Sequence, residues 1–242
     1  MSARGARLII DVVVFTVLVF AATIVIQVYQ PATGGYFNLG EAVIYVAAMI
    51  SSPIVAGIAG GVGASLADVV TGYGIFAPAT LVIKFTEGLV AGTLVRRLRR
   101  LNKVYAITIG SMMAIVYGLL LAYLGTAYLS GELFLGPEWV SITVTLPIFF
   151  WLTVAGLVFL LILYLALARK YHSVEALGLM IAGFIMVTGY FLYEYFVSNP
   201  LTGREPLAAV AEIPVNIGQA VIGASIALPV VVFLRRAGYV KQ

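Results

Sequence analysis

The sequence predicts an all-α membrane protein, a polytopic helical bundle with about eight spans. Apolar residues make up 62% of the 242-residue chain and charged residues only 10%, against roughly 25% charged in a soluble domain. Mean hydropathy is +1.10. Apolar runs long enough to cross a ~30 Å hydrocarbon core recur along the whole chain. One membrane domain over 1–242 follows, with no stretch left for a soluble one.

The elements follow in order. Arg4 and Arg7 precede an apolar run of about 21 residues, longer than the 7–15 residue core of a signal peptide, so 8–29 is read as the first span. The block 40–71 is interrupted by Ser51-Ser52-Pro53. Proline at that point separates a short helix, 40–52, from a second, 53–71. The short helix is only ~20 Å long. It either extends back into the preceding loop or forms half of a hairpin. Further spans are expected at 77–95, 104–124, about 143–168, 174–196 and about 208–234.

The charges orient this bundle. Arg4, Arg7, Arg96, Arg97, Arg99, Arg100, Lys103, Arg169, Lys170, Arg235, Arg236 and Lys241 are twelve of the 14 basic residues. All twelve fall on one side of an eight-span topology. The positive-inside rule makes that side cytoplasmic, with both termini on the cytoplasmic side of the cell membrane. The loops on the other side contain only Arg204.

Small residues cluster in 53–71. Gly57, Gly60, Gly61 and Gly63 allow close helix approach, either within the bundle or against a partner helix. Gly88 and Gly92 do the same in the next helix.

Ionisable residues inside a membrane are costly and mark functional sites by default. Glu41, Asp68, Lys84, Glu87, Glu194 and Glu212 all fall in the outer half of the expected spans, with Asn38, Asn216 and Gln219 at the same level. Apart from Asp11, the cytoplasmic halves show no comparable charge on this reading. The asymmetry predicts a polar pocket open to the outside rather than a through-going pore. Each residue also has a plainer reading. Lys84 and Glu87, three apart, form a local ion pair; Glu41 is a helix-start charge favoured by the macrodipole; Asp68 lies at a solvated edge; Tyr190, beside Glu194, belongs to an interfacial aromatic belt. The carboxylate excess favours a ligand rich in donors or partly cationic, and the tyrosines offer faces for a heterocyclic ring.

Enzyme chemistry fits poorly. There is no cysteine and a single histidine, His172, in a basic loop. That excludes thiol chemistry and a His-rich metal site. The run 60-GGVGAS-65 lies within an apolar helix and is not a phosphate-binding loop.

The stretch 34-GGYFNLGEAVIYV-46, the small-residue helix ending Leu66-Ala67-Asp68, the motif 73-YGIFAPATLVIKFTEG-88, and the segments 188-TGYFLYEYF-196 and 212-EIPVNIGQAVIGASIALPV-230 together resemble the S components of energy-coupling factor (ECF) vitamin transporters. The likeness is greatest to the riboflavin, hydroxymethylpyrimidine and pyridoxine-type subgroup. The resemblance implies a six-helix core, 8–100 with 171–236, here interrupted by an inserted helical pair, 101–170. It also implies a substrate-capture subunit that binds a vitamin or precursor from outside. Its partners would be a transmembrane coupling subunit and two ATPases, which use the ATP; this chain would hold no cofactor. Delivery would proceed by toppling in the bilayer. By the same resemblance the binding candidates are Asn38, Glu41, Lys84, Glu87, Glu194, Glu212 and Asn216, to which the charge pattern adds Asp68 and Tyr190. The first helix lacks the small-residue A-x-x-x-A coupling motif. The competing reading is a solitary proton-coupled secondary transporter of a small heterocyclic metabolite.

Overall fold

The computed structural model describes residues 3–98, 102–128, 130–135, 142–167 and 170–240. Within them the chain is a helical bundle. Helix α1 (Ala3–Val25) leads into a small antiparallel hairpin, β1 (Val28–Gln30) and β2 (Gly35–Phe37). Then come α2 (Gly40–Ile50), α3 (Pro53–Val70), α4 (Ala77–Arg97) and α5 (Lys103–Tyr128). A second hairpin, β3 (Gly131–Leu135) and β4 (Ile142–Leu146), precedes α6 (Ile148–Leu167) and α7 (Lys170–Tyr193). A wide π-type turn (Glu194–Ser198), one helical turn α8 (Asn199–Leu201) and a 3-10 segment (Pro206–Ala211) connect to α9 (Glu212–Arg236). Six helices among the described residues are long and apolar enough to span a membrane, and α2 and α6 contribute shorter apolar segments.

The expected breaks hold, with two differences. The region around 143 starts as strand β4, because Ile142-Thr-Val-Thr-Leu146 alternates β-branched residues before Pro147 allows α6 to begin. The last span begins near 208 as expected, at Pro206, but its first turns are a 3-10 segment, Pro206–Ala211, before α9 starts at Glu212.

Helix α2 organises the fold. Eight of its 11 residues are buried, and it packs against α1, α3, α4 and α9. Its length, about 16 Å, covers only half of a bilayer core. It is therefore the descending arm of a tight hairpin with α3, starting within the bundle and ending at its basic end, beside Arg96. Ser52 starts α3 by accepting the Val55 amide, with Pro53 in the first turn. The open carbonyls at the end of α2 are met by one side chain. Arg96, from the last turn of α4, donates to Ala48 O at 2.8 Å, to Gly92 O at 2.6 Å and to Ser51 O. Ser51 in turn donates to Asp11 of α1 at 2.6 Å. Arg96 thus ties α1, α2 and α4 together at the basic end of the bundle. Arg96→Ala leaves two α2 carbonyls unmet, and should lower unfolding stability in detergent by about 1.5–3 kcal/mol. An unchanged melting temperature would contradict this role.

The small-residue stripes do their work inside the chain. A Cβ at Gly57 or Gly61 would meet the Phe85 or Leu81 carbonyl of α4. At Gly60 it would meet Lys84 O, and at Gly63 Thr16 O of α1. All four glycines are buried. Their contacts hold α3 against α4 and α1 at backbone distance.

Candidate binding site

Where α2 begins, the backbone from Gly35 to Leu39 sits among helix ends. Non-helical backbone at membrane depth is tolerated only where it is buried in protein or lines a cavity, and here it does the latter. A cavity is walled by Thr23 of α1, Gly35, Tyr36 and Asn38 of the hairpin segment, Asp68 of α3, Phe76, Thr80 and Lys84 around α4, Tyr190 and Glu194 of α7 and its turn, and Glu212, Asn216 and Gln219 of α9. Seven of the nine binding candidates line it: Asn38, Asp68, Lys84, Tyr190, Glu194, Glu212 and Asn216.

Glu41 and Glu87 do not line it. Both stand behind Lys84. The ammonium pairs with Glu41, from the first turn of α2, and with Glu87 at 3.3 Å, one turn further along its own helix. Glu87 also accepts from the Tyr45 hydroxyl at 2.7 Å. Glu41, Lys84 and Glu87 are at most 2% exposed. The Lys84 ammonium lies 5.4 Å from the centre of the Tyr190 ring, a cation–π distance. The Tyr190 hydroxyl donates to Thr80 at 3.0 Å. Asn38 has a split role. Its side-chain oxygen accepts the Gly40 amide at 2.9 Å, turning the chain into α2, and its own amide donates to the Gln219 side chain at 2.9 Å.

The hairpin β1–β2 closes the cavity. Gly34, with φ 75°, makes the turn that lets Gln30 face Gly35. Thr33 donates to Glu212 at 2.5 Å and Tyr36 to Asp68 at 2.5 Å. Burial first, and then the Asp68 charge, push the Tyr36 hydroxyl well above the ordinary phenol range, so it stays a proton donor. Its ring lies 4.2 Å from that of Tyr73. Across Phe76, which lines both spaces, lies a vestibule of about 240 Å³ that includes Thr33, Tyr73 and Arg204. The inner cavity itself measures only about 30 Å³, room for water rather than for a heterocycle.

Sequence reasoning missed Thr33, Tyr36 and Thr80 as site residues. Thr80 carried a signal: with Lys84 and Glu87 it recurs at i, i+4, i+7 on one face of α4. Tyr36 sits inside the GGYFN stretch itself. A second omission lies at the basic end, where no comparable charge was expected. Glu175 of α7 is 2% exposed and accepts both terminal nitrogens of Arg235, at 2.9 and 3.1 Å. It falls within the span expected at 174–196 but was not singled out there. His172 has no described side chain.

Residues 6–172 match the family described as "ECF-type riboflavin transporter, S component". The chain belongs to that family, whose members are membrane transporter components and not enzymes. The matched range includes α5 and α6. A Pyrococcus woesei protein, described as "Uncharacterized protein in gap 3'region", is 46% identical over 74 residues, 31% of this chain and 49% of that protein. The chain thus spans about half the length of that relative.

Proposed function

We propose that this chain is the substrate-capture subunit of an ECF-type importer, taking a vitamin or vitamin precursor into the cavity under the β1–β2 hairpin. The observation that carries the reading is the convergence of seven sequence-distant polar residues on one closed cavity, at the end of the bundle remote from the basic residues. By the positive-inside rule that end faces outward and both termini lie in the cytoplasm. The chain carries no phosphate-binding loop, so energy comes from partners: a coupling membrane subunit and two ATPases that reorient the chain in the bilayer. The four buried glycines of α3 are occupied by α1 and α4, so docking uses other surfaces. The exposed apolar face of α1, including Ile10, Val13 and Val17, is one such surface. On this reading the pair α5–α6 packs beside the core as an addition to it, with Tyr117 of α5 donating to Met180 O of α7 at 2.9 Å.

The test is uptake. Cells carrying this chain alone should accumulate radiolabelled pyridoxamine or riboflavin no faster than empty-vector cells. Adding the coupling subunit and both ATPases should raise accumulation of whichever vitamin the chain binds. Robust proton-dependent uptake by the purified chain alone in liposomes would overturn the reading in favour of a secondary transporter.

A further inference from the structure

The wall of the inner cavity is electrostatically lopsided. At one pole is Lys84, the only lysine, arginine or histidine among the lining residues. Its charge is already matched from behind by both Glu41 and Glu87. At the other pole are Glu194 and Glu212, which line the same cavity and are 1% and 3% exposed. Thr33 supplies one hydroxyl to Glu212. The Glu194 Oε2 is buried with no hydrogen-bond partner among the described residues, although Glu194 lines the cavity. A π-type turn begins at Glu194, which continues the cavity-lining face of α7 one turn beyond Tyr190. Widened turns of this kind occur mostly at functional sites.

We infer that Glu194 and Glu212 form a subsite for a cationic nitrogen of the captured molecule: a primary ammonium, or a protonated aminopyrimidine or amidine. The inference deepens the capture reading and rests on it. A buried carboxylate without a partner is expensive, and two side by side more so. A neutral hydroxyl donates one hydrogen bond and brings no charge. A nitrogen cation with two or three N–H groups supplies donors to both carboxylates, in bonds about twice as strong as neutral ones. A metal ion fits less well, since no group of three or more Asp, Glu, His or Cys among the described residues is arranged to hold one. Phe76 and Tyr36 line the same cavity, so an aromatic ring carrying the nitrogen has apolar faces to lie against.

Calorimetric titration of the purified chain in detergent tests this with two probes that share a ring. Pyridoxamine carries an amine where pyridoxine carries a hydroxyl; riboflavin serves as a neutral third. Wild-type protein should bind pyridoxamine at least about tenfold more tightly than pyridoxine. In Glu194→Gln, a shape-conserving change, the gap should fall to about threefold or less. The wild-type comparison needs no variant and so survives any folding defect. Equal binding of the two probes, or tightest binding of riboflavin with no effect of Glu194→Gln, overturns the cationic subsite and leaves the capture reading intact. If no probe binds, the small molecules that co-purify decide. An amine-bearing vitamin supports the subsite, a vitamin without a basic nitrogen overturns it alone, and only lipid or detergent overturns both.

Discussion

Lys84→Met should be among the most destabilising single changes in the chain, lowering unfolding stability by about 3–5 kcal/mol. The substitution keeps the volume of the side chain and removes only its charge. Glu41 has Lys84 as its only partner among the described residues, and Glu87 retains the Tyr45 hydroxyl. Two carboxylates are thereby left buried with a single hydrogen bond between them. Adding Glu41→Gln to Lys84→Met should recover part of the loss, because one uncompensated charge is gone. Thermal unfolding in detergent, read by intrinsic fluorescence, measures both variants. A shift within about 1 kcal/mol for Lys84→Met would mean that the trio behaves like a solvated surface pair and that the interior is wetter than the geometry shows.

Gly88→Ala should be costly for a different reason. The new methyl would lie 2.4 Å from the Ala56 carbonyl oxygen and 2.9 Å from the Gly57 amide nitrogen. Both are backbone atoms of α3, so no side chain can rotate away. The helices must separate, at a cost of about 1–3 kcal/mol or more. Separation also moves Asp68 on α3 relative to Thr80 and Lys84 on α4, so ligand affinity should fall together with stability. Gly218→Ala is the control. A Cβ there meets nothing within 4 Å, and the change should be neutral, or stabilise α9 by up to about 1 kcal/mol. Similar melting temperatures for the two variants would contradict the close α3–α4 approach.

The helices were legible because their cause is local. Runs of about 20 apolar residues, a proline break and a sorted set of arginines each act on the chain segment that carries them. The polar stations were legible too, since an ionisable residue in an apolar run stands out wherever it falls. Their division of labour was not. Glu41 and Glu87 differ from Glu194 and Glu212 only in what other helices place beside them, and sequence spacing reports neighbours on one helix alone. The Arg96 cap was hidden in the same way. It reads as one basic residue in a run of four until the end of α2 is brought under it. The β1–β2 hairpin was hidden because strands of three residues lie below any periodic signal. Tyr36 and Thr33 were therefore seen as loop, although their hydroxyls latch the cavity shut. The stretch GGYFNLGE holds both functions at once. Asn38 turns the chain into α2 and lines the cavity, whereas Glu41 stabilises the interior behind it.

The central claim is that the cavity captures a small heterocyclic molecule. Mass spectrometry of small molecules released from the purified protein tests it most directly, with Asn216→Ala and Glu212→Gln prepared alongside. Asn216 and Glu212 line the cavity, and neither takes part in the Lys84 trio, so both variants should stay folded. The account predicts one vitamin-like compound released from wild-type protein in near-stoichiometric amount, and little or none from either variant. Release of only lipid and detergent from the wild type, or of the same compound in undiminished amount from both variants, would contradict it.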